Sequence, residues 1–146
     1  MIRDLVNSEN SLLHQKIKSC GVNLDRHFLA KTLTENMLYH NGVGLSANQI
    51  GIDERAFVMM RDVENNEILV CFNPKIIKSY TEEVEFEEGC LSYPELFLNI
   101  SRPDKIVIKY EDVDKKEHKM KLQGFASRVF QHELDHLDGI NFLQRQ

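Results

Sequence analysis

The stretch Gln131-His132-Glu133-Leu134-Asp135-His136 places two imidazoles four residues apart, with a carboxylate directly after the first. On an α-helix, positions i and i+4 lie one above the other, so both rings can reach one metal ion. Glu133 is turned about 100° around such a helix from His132. It can flank the ion and handle a proton of bound water without being a ligand. The competing reading is an exposed, charged helix end. The flanks argue against it, because Phe125, Val129, His132 and His136 form one stripe at helical spacing and Phe130, Leu134 and Leu137 form a second. A helix apolar on two faces is a buried one, and buried imidazoles need partners or a metal.

A catalytic centre of this kind takes three protein ligands and leaves one position open for water. Cys90, in Glu88-Gly89-Cys90-Leu91-Ser92, is the best-set third donor, since Gly89 permits a tight turn that aims a thiolate from a strand end. Carboxylates are plentiful, so an Asp or Glu ligand stays open on counting alone. Cys71 lies in an apolar strand, the usual place of an inert buried thiol, and Cys20 precedes Gly21 in a loop. Three cysteines without paired spacing do not make a disulfide framework. In Gly42-Val43-Gly44-Leu45-Ser46-Ala47-Asn48-Gln49, two glycines permit close approach of another backbone. Gln49 can offer its amide to a developing oxyanion, although a glutamine is more often merely solvated.

The elements that must position these groups can be read around them. The spacing predicts a closing helix from about Phe125 to Leu137, with Gly139 just past its end. A second helix is expected from about Asp25 to His40, with Phe28, Leu29, Leu33 and Met37 facing inward and Gly42 following its end. Strand-like segments run over Arg55–Met60, Ile68–Phe72, Lys75–Tyr80, Glu82–Phe86, Lys105–Glu111 and His118–Leu122, with a turn over Asp112–Lys116. The first 20 or so residues read as a polar, moderately helical surface arm. Strands between two helices, joined by short turns, predict an α+β fold with antiparallel sheet. Residues 1–146 fit one domain.

Composition is that of an ordinary soluble domain, with 42% hydrophobic and 28% charged residues. A net charge of −5 gives no electrostatic footprint for nucleic acid. No apolar run approaches membrane-spanning length, and Met-Ile-Arg-Asp-Leu-Val is not a secretory signal. The expectation is a cytoplasmic chain in a reducing compartment.

Taken in order, the three motifs resemble those of the peptide deformylase family: Gly-x-Gly-x-Ala-Ala-x-Gln, Glu-Gly-Cys-x-Ser and Gln-His-Glu-x-Asp-His-Leu-x-Gly. The second and third are intact at residues 88–92 and 131–139, while Ser46 stands where the family usually has alanine. The likeness runs from about Leu33 to Phe142 and includes Arg102. Few residues follow His136, so the chain resembles short members encoded by bacteriophages, which lack a further C-terminal helix. The stretch Tyr93-Pro94-Glu95-Leu96-Phe97, expected as a loop, departs from the family and leaves substrate preference beyond the first residue open.

The resemblance implies antiparallel sheets packed around a central C-terminal ligand helix. It implies one divalent metal ion on Cys90, His132 and His136: Fe2+ in cells, with Zn2+, Ni2+ or Co2+ able to substitute. Glu133 would be the proton-transfer group, and the Leu91 backbone N–H and the Gln49 side chain would hold the oxyanion. Val43, Phe86, Phe125 and Val129 would line the methionine pocket with the His132 ring, and Gly44 would pair with the substrate backbone as an added strand. Phe125 and Val129 read equally well as plain core. The implied reaction removes the formyl group from the N-terminal methionine of nascent polypeptides at the ribosome, in the cytoplasm (the host's, if the chain is viral), with no nucleic-acid or membrane partner. Two other readings are a His-Glu-x-x-His metalloprotease, whose third ligand commonly lies downstream of the helix, and a structural zinc module, whose sites are closed by four ligands.

Overall fold

The computed structural model describes residues 1–146. Helix α1 (Arg26–Tyr39) starts where the Asp25 side chain accepts the Phe28 backbone N–H, a cap that satisfies one of the unpaired donors of the first turn. Its buried stripe is Leu29, Leu33 and Met37. Phe28, expected inward, is 60% exposed. One residue before Leu29 it is rotated off the stripe, and the flanking buried positions go to polar groups instead. Arg26 reaches the Asp112 carbonyl and Glu111, and Asn36 reaches the Met1 carbonyl and the Arg3 N–H.

Five strands form one antiparallel sheet in the order β1-β2-β3-β6-β7. They are β1 (Gly44–Ser46), β2 (Ala56–Asp62), β3 (Glu67–Ser79), β6 (Lys105–Glu111) and β7 (Glu117–Gln123). A separate hairpin is made by β4 (Glu83–Cys90) and β5 (Tyr93–Pro103). Two segments expected as separate strands are one strand, β3. Its first half pairs with β2 and its second half with β6, and the register shifts beside Asn73, which sits at φ 51°. The segment Tyr93–Phe97 is not a loop but the start of β5. Its pairing with β4 supplies the order that its sequence does not advertise.

Helix α2 (Phe125–Leu137) packs on one side of the sheet, where Val129, Phe130, Leu134 and Leu137 meet Phe57, Met59, Cys71, Ile106, Ile108 and Leu122. Helix α1 covers the other side over Val58, Met60 and Phe72. With both faces covered, five successive residues of β2, Ala56 to Met60, are buried rather than every second one. The N-terminal arm is not helical beyond one 3₁₀ turn at Ser11–His14. It lies extended against the molecule, with Leu13 and Ile17 buried and the Ile17 N–H donating to the Leu137 carbonyl at 2.7 Å. Gly139 makes this contact possible: it has φ +76°, and a Cβ there would sit 2.7 Å from the Gln15 nitrogen.

Candidate metal centre and substrate groove

His132 and His136 are one turn apart on α2, with ring centroids 4.9 Å apart, and both are buried. Cys90 ends β4, immediately before the two-residue turn Leu91–Ser92, and its Sγ lies 3.2 Å from His136 Nε2. One donor atom each from Cys90, His132 and His136 lie within 4.8 Å of one another. Around a four-coordinate ion with ordinary metal–sulfur and metal–nitrogen lengths, such donors stand about 3.5 Å apart. The three side chains fit a cation of that size.

Glu88, two residues before Cys90 on the same strand, is buried and faces α2. Its carboxylate takes Arg102 Nε at 2.6 Å, Arg102 Nη2 at 3.1 Å, Arg128 Nη1, and His132 Nδ1 at 3.0 Å. Holding Nδ1 leaves His132 Nε2 free to face the thiol. Arg102 also reaches Asp135 at 2.9 Å, and Asp135 takes Arg145 at 2.8 Å. This chain of ion pairs ties β4, β5, α2 and the C-terminal 3₁₀ turn (Phe142–Arg145) together behind the donors.

The electrostatics favour positive charge at this point. Burial pulls the His132 ring down, but its hydrogen bonds with Cys90 and Glu88 outweigh burial and raise it to about 10. A cation among the same groups satisfies the same field. Burial, with the charge on His132, drives His136 well below its ordinary value and keeps its lone pair available. Burial tends to raise Glu88, yet the His132 and Arg102 hydrogen bonds bring it down to about 2. Burial raises Glu133 to about 7, where a carboxyl group can take and return a proton at neutral pH. Its Oε1 is buried without a hydrogen-bond partner. Such an oxygen awaits a donor.

Gln49 lies in a 3₁₀ turn (Ala47–Ile50) after β1. Its Oε1 accepts from both the N–H and the hydroxyl of Ser46, each at 3.0 Å. The amide is thereby turned so that Nε2 points at the centre, donating to Ser92 Oγ at 2.9 Å with Cys90 Sγ 3.9 Å away. Ser46, the departure from the usual alanine, therefore adds a second anchor for this amide.

A cleft of about 430 Å³ opens onto these groups. Every sequence-predicted site residue except His136 lines it: Val43, Gly44, Gln49, Phe86, Cys90, Leu91, Phe125, Val129, His132 and Glu133. His136 stands behind, against the Cys90 sulfur. Val43, Phe86 and Phe125 are 45%, 61% and 47% exposed, so Phe125 belongs to the groove wall, whereas Val129 is shared between wall and core. Strand β1 pairs only with β2, which leaves one strand edge free. At Gly44 a Cβ would come within 2.5 Å of Glu133 Oε2, so any side chain there would displace the Glu133 carboxylate. Sequence reasoning missed Glu88, Asp135, Arg128 and Ser92. A signal for Glu88 was present, since it continues the period-two alternation of Val84 and Phe86; Asp135 had none, because it falls on the polar helix face with Arg128 and Gln131.

A thiolate and two imidazoles beside a buried His-Glu-x-x-His carboxylate, in this antiparallel α+β frame, are the equipment of a metal-dependent hydrolase. The polypeptide deformylase family model matches residues 2–146. The chain is 42% identical over 139 residues to the peptide deformylase of Picosynechococcus sp., covering 93% of this chain and 74% of that one. It is similar to the solved structure of peptide deformylase from Thermotoga maritima, with TM-score 0.89, 37% identity and coverage of 99% and 97%. Class I type b peptide deformylase from Acinetobacter baumannii gives TM-score 0.94 at 28% identity, covering 100% and 99%. The chain belongs to the polypeptide deformylase family, whose reaction is the metal-dependent removal of the formyl group from N-terminal methionine.

Proposed function

We propose that Cys90, His132 and His136 hold one divalent cation and that Glu133 moves the protons of formyl hydrolysis, within a single catalytic domain spanning residues 1–146. The observation that carries this reading is a three-donor cluster within 4.8 Å beside a buried carboxylate whose Oε1 has no partner. The cation, when bound, supplies Lewis acidity, which lowers the pKa of water toward about 7 and polarises a carbonyl. Thiolate and imidazole suit Fe2+, Zn2+, Ni2+ and Co2+ alike. The family resemblance favours Fe2+ in cells.

Glu133 accepts a proton from the attacking water and returns it to the departing methionine nitrogen. Gln49 Nε2 carries two hydrogens; one is taken by Ser92, and the other donates to the formyl oxygen as charge builds on it. The Leu91 N–H, at the turn after Cys90, is the second donor, and each such donor is worth about 10²–10³ in rate. Val43, Phe86, Phe125 and Val129, with the His132 ring, receive the methionine side chain. The free edge of β1 at Gly44 pairs with the extended substrate backbone. The natural substrate in this reading is the formylmethionyl end of a nascent chain at the ribosome, in the cytoplasm (the host's, if the chain is viral).

A structural zinc module fits poorly, because the donor cluster holds three residues rather than four. A metalloprotease and a deformylase part at the substrate. The metal-loaded protein is expected to release formate from N-formylmethionyl-alanine and to leave unformylated peptides whole. Cleavage of internal peptide bonds without formate release would overturn the reading.

A further inference from the structure

The net charge of −5 is an average over a molecule whose lysines are segregated. Six of the 18 Lys and Arg residues stand on one face of β3, β6 and β7. The register sets them in rows. Lys75, Lys109 and Lys119 are directly opposite one another across the three strands; in the next row Lys78 and Lys121 flank Val107, and beyond them Lys105 faces Gln123. This is the face opposite Ile106, Ile108 and Leu122, whose side chains meet α2. Helix α1 covers the same side farther along, over Val58, Met60 and Phe72, but the lysine-bearing part is bare.

Like charges directly opposite on a sheet destabilise it. Here the repulsion is hardly relieved within the chain. Lys109 pairs with Glu117 at 3.2 Å, whereas Lys75, Lys78, Lys105, Lys119 and Lys121 have no carboxylate in salt-bridge range. Three of these ammonium groups gather instead around one aromatic ring: Lys78, Lys105 and Lys121 lie 4.6, 5.9 and 5.5 Å from the Tyr80 ring centroid.

We propose that this face binds single-stranded RNA, with the lysines on its phosphates and Tyr80 as a stacking surface for a base. Rows of cations around an aromatic are how proteins hold unpaired strands, whose bases are free to stack. A bilayer would need an apolar face to insert, and the apolar Val107 lies half-buried between lysines rather than above them. An acidic peptide recognised by strand addition would engage a sheet edge, while these side chains stand on a face. RNA is chosen over DNA because the proposed reaction acts on the products of translation; in that respect the inference rests on the proposed function. The catalytic groove lies at β1, β4, β5 and α2, so a strand on this face leaves it open.

The test uses the full metal-loaded chain and fluorescence anisotropy with a short labelled single-stranded RNA of mixed sequence. The variant Lys78→Gln/Lys105→Gln/Lys121→Gln is compared with Lys16→Gln/Lys18→Gln/Lys31→Gln, which removes equal charge elsewhere. The on-face triple is expected to bind about tenfold or more weakly and to flatten the dependence of log K on log salt by about 2, at about 0.7 per lost phosphate contact. Tyr80→Leu is expected to weaken single-strand binding and to spare binding to duplex RNA. Equal weakening by the two triples, or binding to phosphatidylserine vesicles but not to RNA, overturns the proposal. Formate release from N-formylmethionyl-alanine is expected to be unchanged in the on-face triple. A parent chain that releases no formate refutes the proposed function instead, whatever its affinity for RNA.

Discussion

Glu88 Oε1 lies 3.0 Å from His132 Nδ1, while the same carboxylate is clamped by Arg102 Nε at 2.6 Å. One buried acid thus fixes a ring on α2 from a strand two residues away from the thiol that faces that ring. Loss of such a partner typically costs about 10–100-fold in metal affinity. Glu88→Gln should therefore retain metal poorly on dialysis. It should also melt earlier, because two guanidinium groups lose their shared carboxylate, and breaking a buried pair costs about 3–5 kcal/mol. Metal content and thermal unfolding measure the two effects. Unchanged metal retention in Glu88→Gln would show that His132 needs no such anchor.

Glu133→Gln should keep metal near one equivalent and lose formate release, since the amide preserves shape but cannot take a proton. More than about a tenth of parental turnover in this variant would rule out Glu133 as the proton-transfer group.

The same residue carries a pH signature in the metal-free protein. Burial raises Glu133 from 4.5 to about 7, so the folded state binds its proton more tightly than the unfolded chain does. Its stabilisation is full below the unfolded value of 4.5 and is lost as pH rises through the folded value of about 7. Urea titrations of the metal-free parent should show stability falling across that window relative to Glu133→Gln. Parallel curves would mean that the carboxylate is ionised when buried.

Much of this centre was legible because helical spacing is a rigid constraint: His132, Glu133 and His136 can be placed relative to one another from i and i+4 alone. The donor from another element was legible only as a setting, Gly89 before Cys90. What the sequence hid depends on long-range pairing. Asn73 bends β3 so that two apparent strands become one, and β5 takes its order from β4. Leu13 and Ile17 are four apart, which mimics a helical arm, but the backbone bond from Ile17 to Leu137 holds the segment extended. The lysine face was invisible to a net charge, because residues 75, 109 and 119 become neighbours only through register.

The cysteines separate ligand from core. Cys90 is half-exposed beside His136, whereas Cys71 is fully buried and desolvation pushes its thiol far above the ordinary value. Cys90→Ser should lose both activity and metal, since a hydroxyl is a hard and far less acidic donor. Cys71→Ser should keep metal and lose only stability. If the two variants exchanged these behaviours, the thiolate would have been assigned to the wrong strand.

The C-terminal turn supports the centre through packing more than through charge. Phe142 is fully buried, with its ring 5.8 Å from the His132 ring and 5.6 Å from Tyr93. Truncating a buried phenylalanine costs about 3–5 kcal/mol. Phe142→Ala should lower the melting temperature sharply and loosen metal retention, because the ring that backs His132 is gone. Arg145 also reaches the centre's supports, through Asp135 at 2.8 Å, but its side chain is 44% exposed. Water screens such a pair to about 1 kcal/mol or less, and Asp135 keeps Arg102 as a partner at 2.9 Å. Arg145→Ala should therefore cost little stability and leave formate release intact. Thermal unfolding and the formate assay on both variants decide the matter. A folded Arg145→Ala protein without activity would show that the pairs running from Arg145 through Asp135 and Arg102 to Glu88 set the geometry of His132, and that packing alone does not.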